Sequence, residues 1–150
     1  MINFAIIALL VAVDQIVKRW AYVALQPIRH ITVIDGVLGW TYLENRGVAF
    51  GFFYGGRWFF IIATLILFGM IYFHYKKLPT EGPYKILRFS LVLIVAGGIG
   101  NFIDRLFLGF VIDYIHLLFM NFPVFNIADI LVSVGAGLYF FTSLFAIKEQ

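Results

Sequence analysis

A chain of 150 residues that is 63% hydrophobic, 13% charged and of mean hydropathy +0.97 is far more apolar than a soluble domain of that length. Lipid is its expected solvent, and any active site must sit in or against the membrane. The chain has no cysteine, which excludes disulfides, thiolate catalysis and Cys-ligated zinc; its net charge of +3 comes from Lys and Arg scattered between apolar runs, with no basic stripe to suit nucleic acid.

Runs near the ~20 apolar residues that a helix needs to cross ~30 Å of hydrocarbon occur at about 2–25, 58–75, 87–104 and 126–146. The predicted fold is a single all-α membrane domain, 1–150, of four transmembrane helices with a small extracytoplasmic β-sheet and a short interfacial segment. The first run lacks a basic start and carries Asp14 and Lys18, so it reads as a retained helix rather than a cleavable signal peptide. The first connection contains ITVI, Asp35-Gly36 and VLGWTYL, the pattern of a β-hairpin, which places a surface sheet at about 28–53. The second connection is short and dense in Lys76, Lys77, Lys85 and Arg88, which points it and both termini to the cytoplasm. The third, Leu106 to Phe125, is apolar yet carries Asp113 and His116, and reads as an amphipathic segment at the interface.

Ionisable residues within spans are expensive, about 2.5 kcal/mol or more each at the bilayer centre, and are functional candidates by default. Asp14 and Lys18 are four apart on one helix face, which suits an ion pair that lowers its own insertion cost. Asn101 and Asp104 share a face at the end of the third span, and Asn126 and Asp129 stand in the same relation at the start of the fourth, so two Asn-x-x-Asp faces meet at one depth. Asp113 lies between them in VIDYI, with no adjacent cation, whereas Asp104 is followed at once by Arg105. Two aspartates sharing one site cannot easily both ionise, so one keeps a proton; such a pair can activate water and donate to a peptide carbonyl. Asp113 with Asp129 suits that role best, although spacing alone leaves Asp104 as an alternative partner. Helix caps and interhelical hydrogen bonds are the competing explanation of the same cluster.

Gly97, Gly98 and Gly100 suit close helix packing, and Trp20, Trp40 and Trp58 suit interfacial anchoring. His30, His74 and His116 fall on separate segments without ligand spacing, so neither a metal nor any other cofactor is expected. A proton-coupled transporter would need ionisable groups in both membrane halves, but Asp104, Asp113 and Asp129 gather at one face; a non-catalytic assembly factor would not need them at all.

Five blocks, VDQIVK around Asp14 and Lys18, ENRGVAFG from Glu44 to Gly51, GNFIDR from Gly100 to Arg105, VIDYI around Asp113 and FPVFNIAD from Phe122 to Asp129, resemble the lipoprotein signal peptidases in order and over essentially the whole chain. The resemblance implies a bacterial cytoplasmic (inner) membrane enzyme, a monomer among membrane lipids. Its implied substrates are diacylglyceryl-modified prolipoproteins, cut just before the lipidated cysteine. It implies Asp113 and Asp129 as the catalytic pair. Asp14, Asn45, Asn101, Arg105 and Asn126 match polar residues of the family's substrate cleft, and Gly47 lies in the loop of its small sheet. Tyr114 stands where Phe is common, a change assigned to the pocket wall.

Overall fold

The computed structural model describes residues 2–47 and 56–146. Helix α1, Ile2–Leu25, leads into strands β1, His30–Ile34, and β2, Leu38–Asn45; then come α2, Arg57–Lys77, α3, Tyr84–Phe107, strand β3, Val111–Leu117, and α4, Ile127–Phe141, which runs on as a π-helical turn over Thr142–Ala146. Residues 48–53 of the expected surface region, and the end of the ENRGVAFG block, lie outside the described residues.

Among the described residues, three helices are long and apolar enough to cross a membrane: Arg57–Lys77, Tyr84–Phe107 and Ile127–Leu144. Helix α1 is as long as α3, at 24 residues, but Asp14, Lys18 and Arg19 in its second half set it apart from the other three. Helix α3 is the centre of the bundle, packed against α4, α1 and α2. Lipid tails provide no hydrophobic force between helices, so close approach through small residues is what holds such a bundle. An added Cβ at Gly97 would collide with the Ala128 carbonyl oxygen, and one at Gly100 with Asp14 Oδ2. At Gly135 it would lie 2.7 Å from Ser90 O, and at Gly98 2.8 Å from the Phe68 ring. The expected packing role of the glycines is what the helices show.

The three strands form one antiparallel sheet in the order β1-β2-β3. Strands β1 and β2 are the predicted hairpin, with Val37 N–H donating to Ile34 O at 3.0 Å. Gly36 takes φ 66° while Asp35 does not enter the left-handed region, so the turn is not the two-residue type I′ form that Asp-Gly favours, and β2 begins one residue later, at Leu38.

Strand β3 corrects the expectation of an amphipathic interfacial segment. It pairs with β2 from Leu38↔Leu117 to Asn45↔Val111, with an irregularity between Trp40 and Leu43. Successive strand residues face opposite sides, and here both sides are used. Ile112 and Tyr114 join Tyr42, Ala21 and Leu25 in the core between sheet and α1, while Val111 and Asp113 face the other way and are buried too. With apolar neighbours on both faces, VIDYI lacks the alternation that would announce a strand. Tyr114 is therefore core rather than pocket wall, with its ring 6.5 Å from that of Trp20 and 6.1 Å from that of Trp40.

Candidate active site

Helix α4 begins at its own polar cluster. Asn126 is its N-cap: the side-chain oxygen accepts from Asp129 N–H at 3.0 Å, and Asp129 Oδ2 accepts from Asn126 N–H at 3.1 Å, a reciprocal capping box. The box uses one oxygen of Asp129 and leaves Oδ1, which accepts from Asn101 Nδ2 at 2.8 Å. Asp129 is half-buried, as are Asn101, Arg105 and Asn45.

Asp113 comes to the same place from the sheet. Leu43 pairs with Asp113 and Asn45 with Val111, so Asn45 and Asp113 share a face as diagonal neighbours. Asn45 Nδ2 donates to Asp113 Oδ2 at 2.9 Å, and Gly47 N–H donates to Asn45 Oδ1 at 3.1 Å, which fixes which end of the Asn45 amide meets the carboxylate. Asn126 Nδ2 donates to Asp113 Oδ1 at 2.6 Å. Asn126 thus joins both carboxylates, Asp113 through its side chain and Asp129 through its backbone. Asp113 is 1% exposed. Burial first, and the Asp129 charge second, push its carboxyl up to about 7, against the opposing pull of the Asn45 and Asn126 donors.

Arg105 lies beside this pair, its guanidinium 4.9 Å from the centre of the Phe60 ring and within electrostatic reach of Asp129, Asp113 and Asp104. It forms no salt bridge with Asp104, its neighbour in the chain. Consecutive helix residues point apart, and Asp104 turns the other way, to Lys18 Nζ at 3.1 Å and Ile112 N–H at 3.0 Å. Asp14 also pairs with Lys18, at 3.0 Å, and its Oδ1 accepts from Ala128 N–H at 3.0 Å. Gln15 Nε2 donates to Asp14, to Asp104 and to Gly100 O at 3.1–3.2 Å. Asp14, matched to the substrate cleft by resemblance, is fully buried with both oxygens occupied inside the protein. A groove of about 370 Å³ between the C-terminal halves of α1 and α3 borders this cluster at Lys18 and Asp104.

The aspartates therefore fall into two groups. Asp113 and Asp129 are held by amide donors and by no lysine, Asp113 buried and Asp129 half-buried; Asp14 and Asp104 share one lysine and are both buried. The tie from Lys18 to Asn101, at 2.9 Å, links the groups and is one that sequence reading missed, because pairing Lys18 with Asp14 already explained both. No group of His, Asp and Glu among the described residues could hold a metal ion.

A model of the family described as signal peptidase (SPase) II matches residues 6–145. The lipoprotein signal peptidase of Streptococcus pyogenes serotype M2 (strain MGAS10270) is 43% identical over 129 residues, 85% of this chain and 82% of that one. The enzyme of the same name from Latilactobacillus sakei subsp. sakei (strain 23K) is 40% identical over 151 residues, 100% of this chain and 97% of its own. Two solved structures described as bacterial membrane enzymes superpose with TM-scores of 0.82 and 0.80 at 30% identity, each covering 95% of this chain, and 87% and 92% of their own.

Proposed function

Since this chain belongs to the signal peptidase II family, we propose that it removes the signal peptide from diacylglyceryl-modified prolipoproteins, cutting just before the lipidated cysteine, with Asp113 and Asp129 as an aspartic dyad. The observation that carries the dyad is Asn126, whose side chain and backbone hold the two carboxylates at one helix end.

In this reading Asp113, raised to about 7, holds the proton and Asp129 is ionised. Asp129 takes a proton from water as the water oxygen attacks the peptide carbonyl carbon, and Asp113 gives its proton to the carbonyl oxygen. The tetrahedral diol then returns a proton to the carboxylate of Asp113, while Asp129 passes its proton to the leaving nitrogen as the C–N bond breaks. Both residues end as they began. Asn45 and Asn101 hold the carboxylates in place, and Arg105 holds a carbonyl or ester oxygen of the substrate with its planar donor fork. Gly47 contributes its N–H through Asn45, and Asp14 acts by tying down Ala128 at the head of α4.

The remaining features follow from a lipidated substrate that cannot leave the bilayer. Four helices, α1 included, cross the bacterial cytoplasmic membrane; both termini and the segment Lys76 to Arg88 face the cytoplasm; the sheet and the dyad lie near the outer surface; and the enzyme works as a monomer among lipids. Exposed apolar side chains of β1 and the turn after it, Ile31, Val33, Ile34 and Val37, suit contact with the membrane surface.

The test is a gel-shift assay of matched precursors with and without the diacylglyceryl group. Wild type is expected to cleave only the lipidated one, and Arg105→Ala to cleave it more slowly by about 10²-fold while remaining folded. Equal wild-type rates on both precursors would leave a general intramembrane protease in its place. For topology, a cysteine at Thr80 should resist an impermeant thiol reagent in intact cells and one at Asp35 should react; the reverse pattern overturns the orientation.

A further inference from the structure

The geometry points to Lys18 as a positioning residue of the dyad, acting through the side chain of Asn101. This deepens the reading above and rests on Asp129 being one of the two catalytic aspartates.

An asparagine amide has two ends of similar shape and opposite hydrogen-bonding character. Asn101 serves Asp129 only with its NH₂ end forward, donating Nδ2 to Oδ1 at 2.8 Å. Its other end faces two donors, Lys18 Nζ at 2.9 Å and Asn126 Nδ2 at 3.2 Å. Turning the amide over would set NH₂ against an ammonium and a carbonyl oxygen against a carboxylate, so the neighbours select one orientation. Lys18 is the nearer and the charged one of the two, and charge-assisted bonds are the stronger kind. Asn126 is the weaker guide because its Nδ2 already donates at 2.6 Å to Asp113.

Lys18 is itself held from behind. Asp14 Oδ2 at 3.0 Å and Asp104 Oδ2 at 3.1 Å flank an ammonium that is 2% exposed, and Gln15 donates to both carboxylates. An ammonium has three N–H groups, and the two aspartates and Asn101 account for all three. Charge neutralisation alone would need only one aspartate for one lysine. Two carboxylates on one cation, with the third donor aimed out of the group at Asn101, is the arrangement of a clamp that aims a side chain. It carries order from α1 to Asn101 on α3, and through Asn101 to Asp129 on α4.

The test separates aim from mere support. Replacing Lys18 alone would strand two buried carboxylates, so the comparison is made in an uncharged background, Asp14→Asn with Asp104→Asn, whose amide oxygens can still accept from Ala128 and Ile112. In that background Lys18→Gln retains an N–H donor and Lys18→Met does not. On a diacylglyceryl prolipoprotein, kcat of the Lys18→Gln combination is the reference against which the Lys18→Met combination is read. The Lys18→Met combination should lose about 10-fold or more in kcat with KM within about 2-fold, because a catalytic group is misaligned while substrate contacts remain. Adding Asn101→Ala should then cost little more in the Lys18→Met combination, though it costs about 10-fold in wild type. Equal kcat for the two combinations, or a full Asn101→Ala loss in both, overturns the role of Lys18.

A second measurement needs no variant that might fail to fold. In the wild-type chain one proton of the Asn101 side-chain NH₂ should be shifted downfield and protected from exchange. An NH₂ with neither proton shifted or protected overturns the inference. Asp129→Asn distinguishes this idea from the reading beneath it. If that variant still turns over, the dyad is wrong; if it is dead while the two Lys18 combinations run alike, only the role of Lys18 falls.

Discussion

The two Asn-x-x-Asp turns, Asn101/Asp104 on α3 and Asn126/Asp129 on α4, have the same letters and spacing but sit at opposite ends of their helices. On α4 the motif opens the helix, where four backbone N–H groups lack partners, and Asn126 and Asp129 become a capping box. On α3 it falls in the last two turns, where the N–H groups are already bonded within the helix. There the side chains reach outward, Asp104 to Lys18 and to Ile112 N–H, Asn101 across to Asp129. A helix start ties an aspartate down by its own backbone and leaves one oxygen for chemistry; a helix end frees the same residue for tertiary ties. Position within the helix, more than motif, decides which aspartate is available to act.

Substituting the paired positions tests that contrast. Asp129→Asn and Asp113→Asn should each lower kcat by at least about 10³-fold while membrane insertion and thermal unfolding change little, since an amide cannot exchange the proton. Wild-type turnover in Asp113→Asn, with loss in Asp104→Asn, would show the two Asn-x-x-Asp turns to be the pair. Next in size is Asn126→Ala, which removes a cap worth about 1 kcal/mol and the donor at Asp113 Oδ1 together. We expect kcat down by about 10²-fold with a modest fall in unfolding temperature. Asp104→Ala should invert that balance, costing about 3 kcal/mol by leaving a buried charge short of a partner and lowering kcat by no more than about 10-fold. Unfolding in detergent micelles beside the cleavage assay separates the two patterns.

The smallest effect is one of pH. Folding raises the Asp113 carboxyl from 3.8 to about 7, so the folded chain retains a proton that the unfolded chain releases. Its contribution to stability is fully present below about pH 4 and is lost as pH rises through 7. A dyad that needs that proton should show kcat falling on the alkaline side of about 7. Asn45→Ala removes a donor that favours the ionised form, so the alkaline limb should move to higher pH, with kcat near pH 6 reduced by less than about 10-fold. A limb that moves down, or stays, would assign the titration to another group.

Much of this was legible in the sequence because lipid makes run length and stray charges informative. The bounds of α2, α3 and α4, the hairpin and the meeting of Asn101 with Asp129 all follow from short-range spacing. Strand β3 was not legible, since a strand buried on both faces shows no period, and its partner β2 lies far away in the chain. The setting of Asp104 was also hidden. Arg105 is its neighbour in sequence, whereas the cation that holds it is Lys18 of another helix, brought near by the notch at Gly100. The same notch explains why Asp14, a polar residue in an apolar run, is buried and does not line a cleft.

That glycine has a counterpart one turn earlier. Gly97 lies directly against the carbonyl oxygen of Ala128, the residue before Asp129, and stands four positions before Asn101. The missing methyl is a spacer of zero thickness between α3 and α4. Whatever separation it permits is inherited by the 2.8 Å contact between Asn101 and Asp129 just above it. A methyl group there would push the two backbones apart, and the reach of an asparagine side chain would not follow. The tolerance of the proposed dyad is therefore machined into the interface one turn beneath it, by a residue with no side chain to offer a substrate.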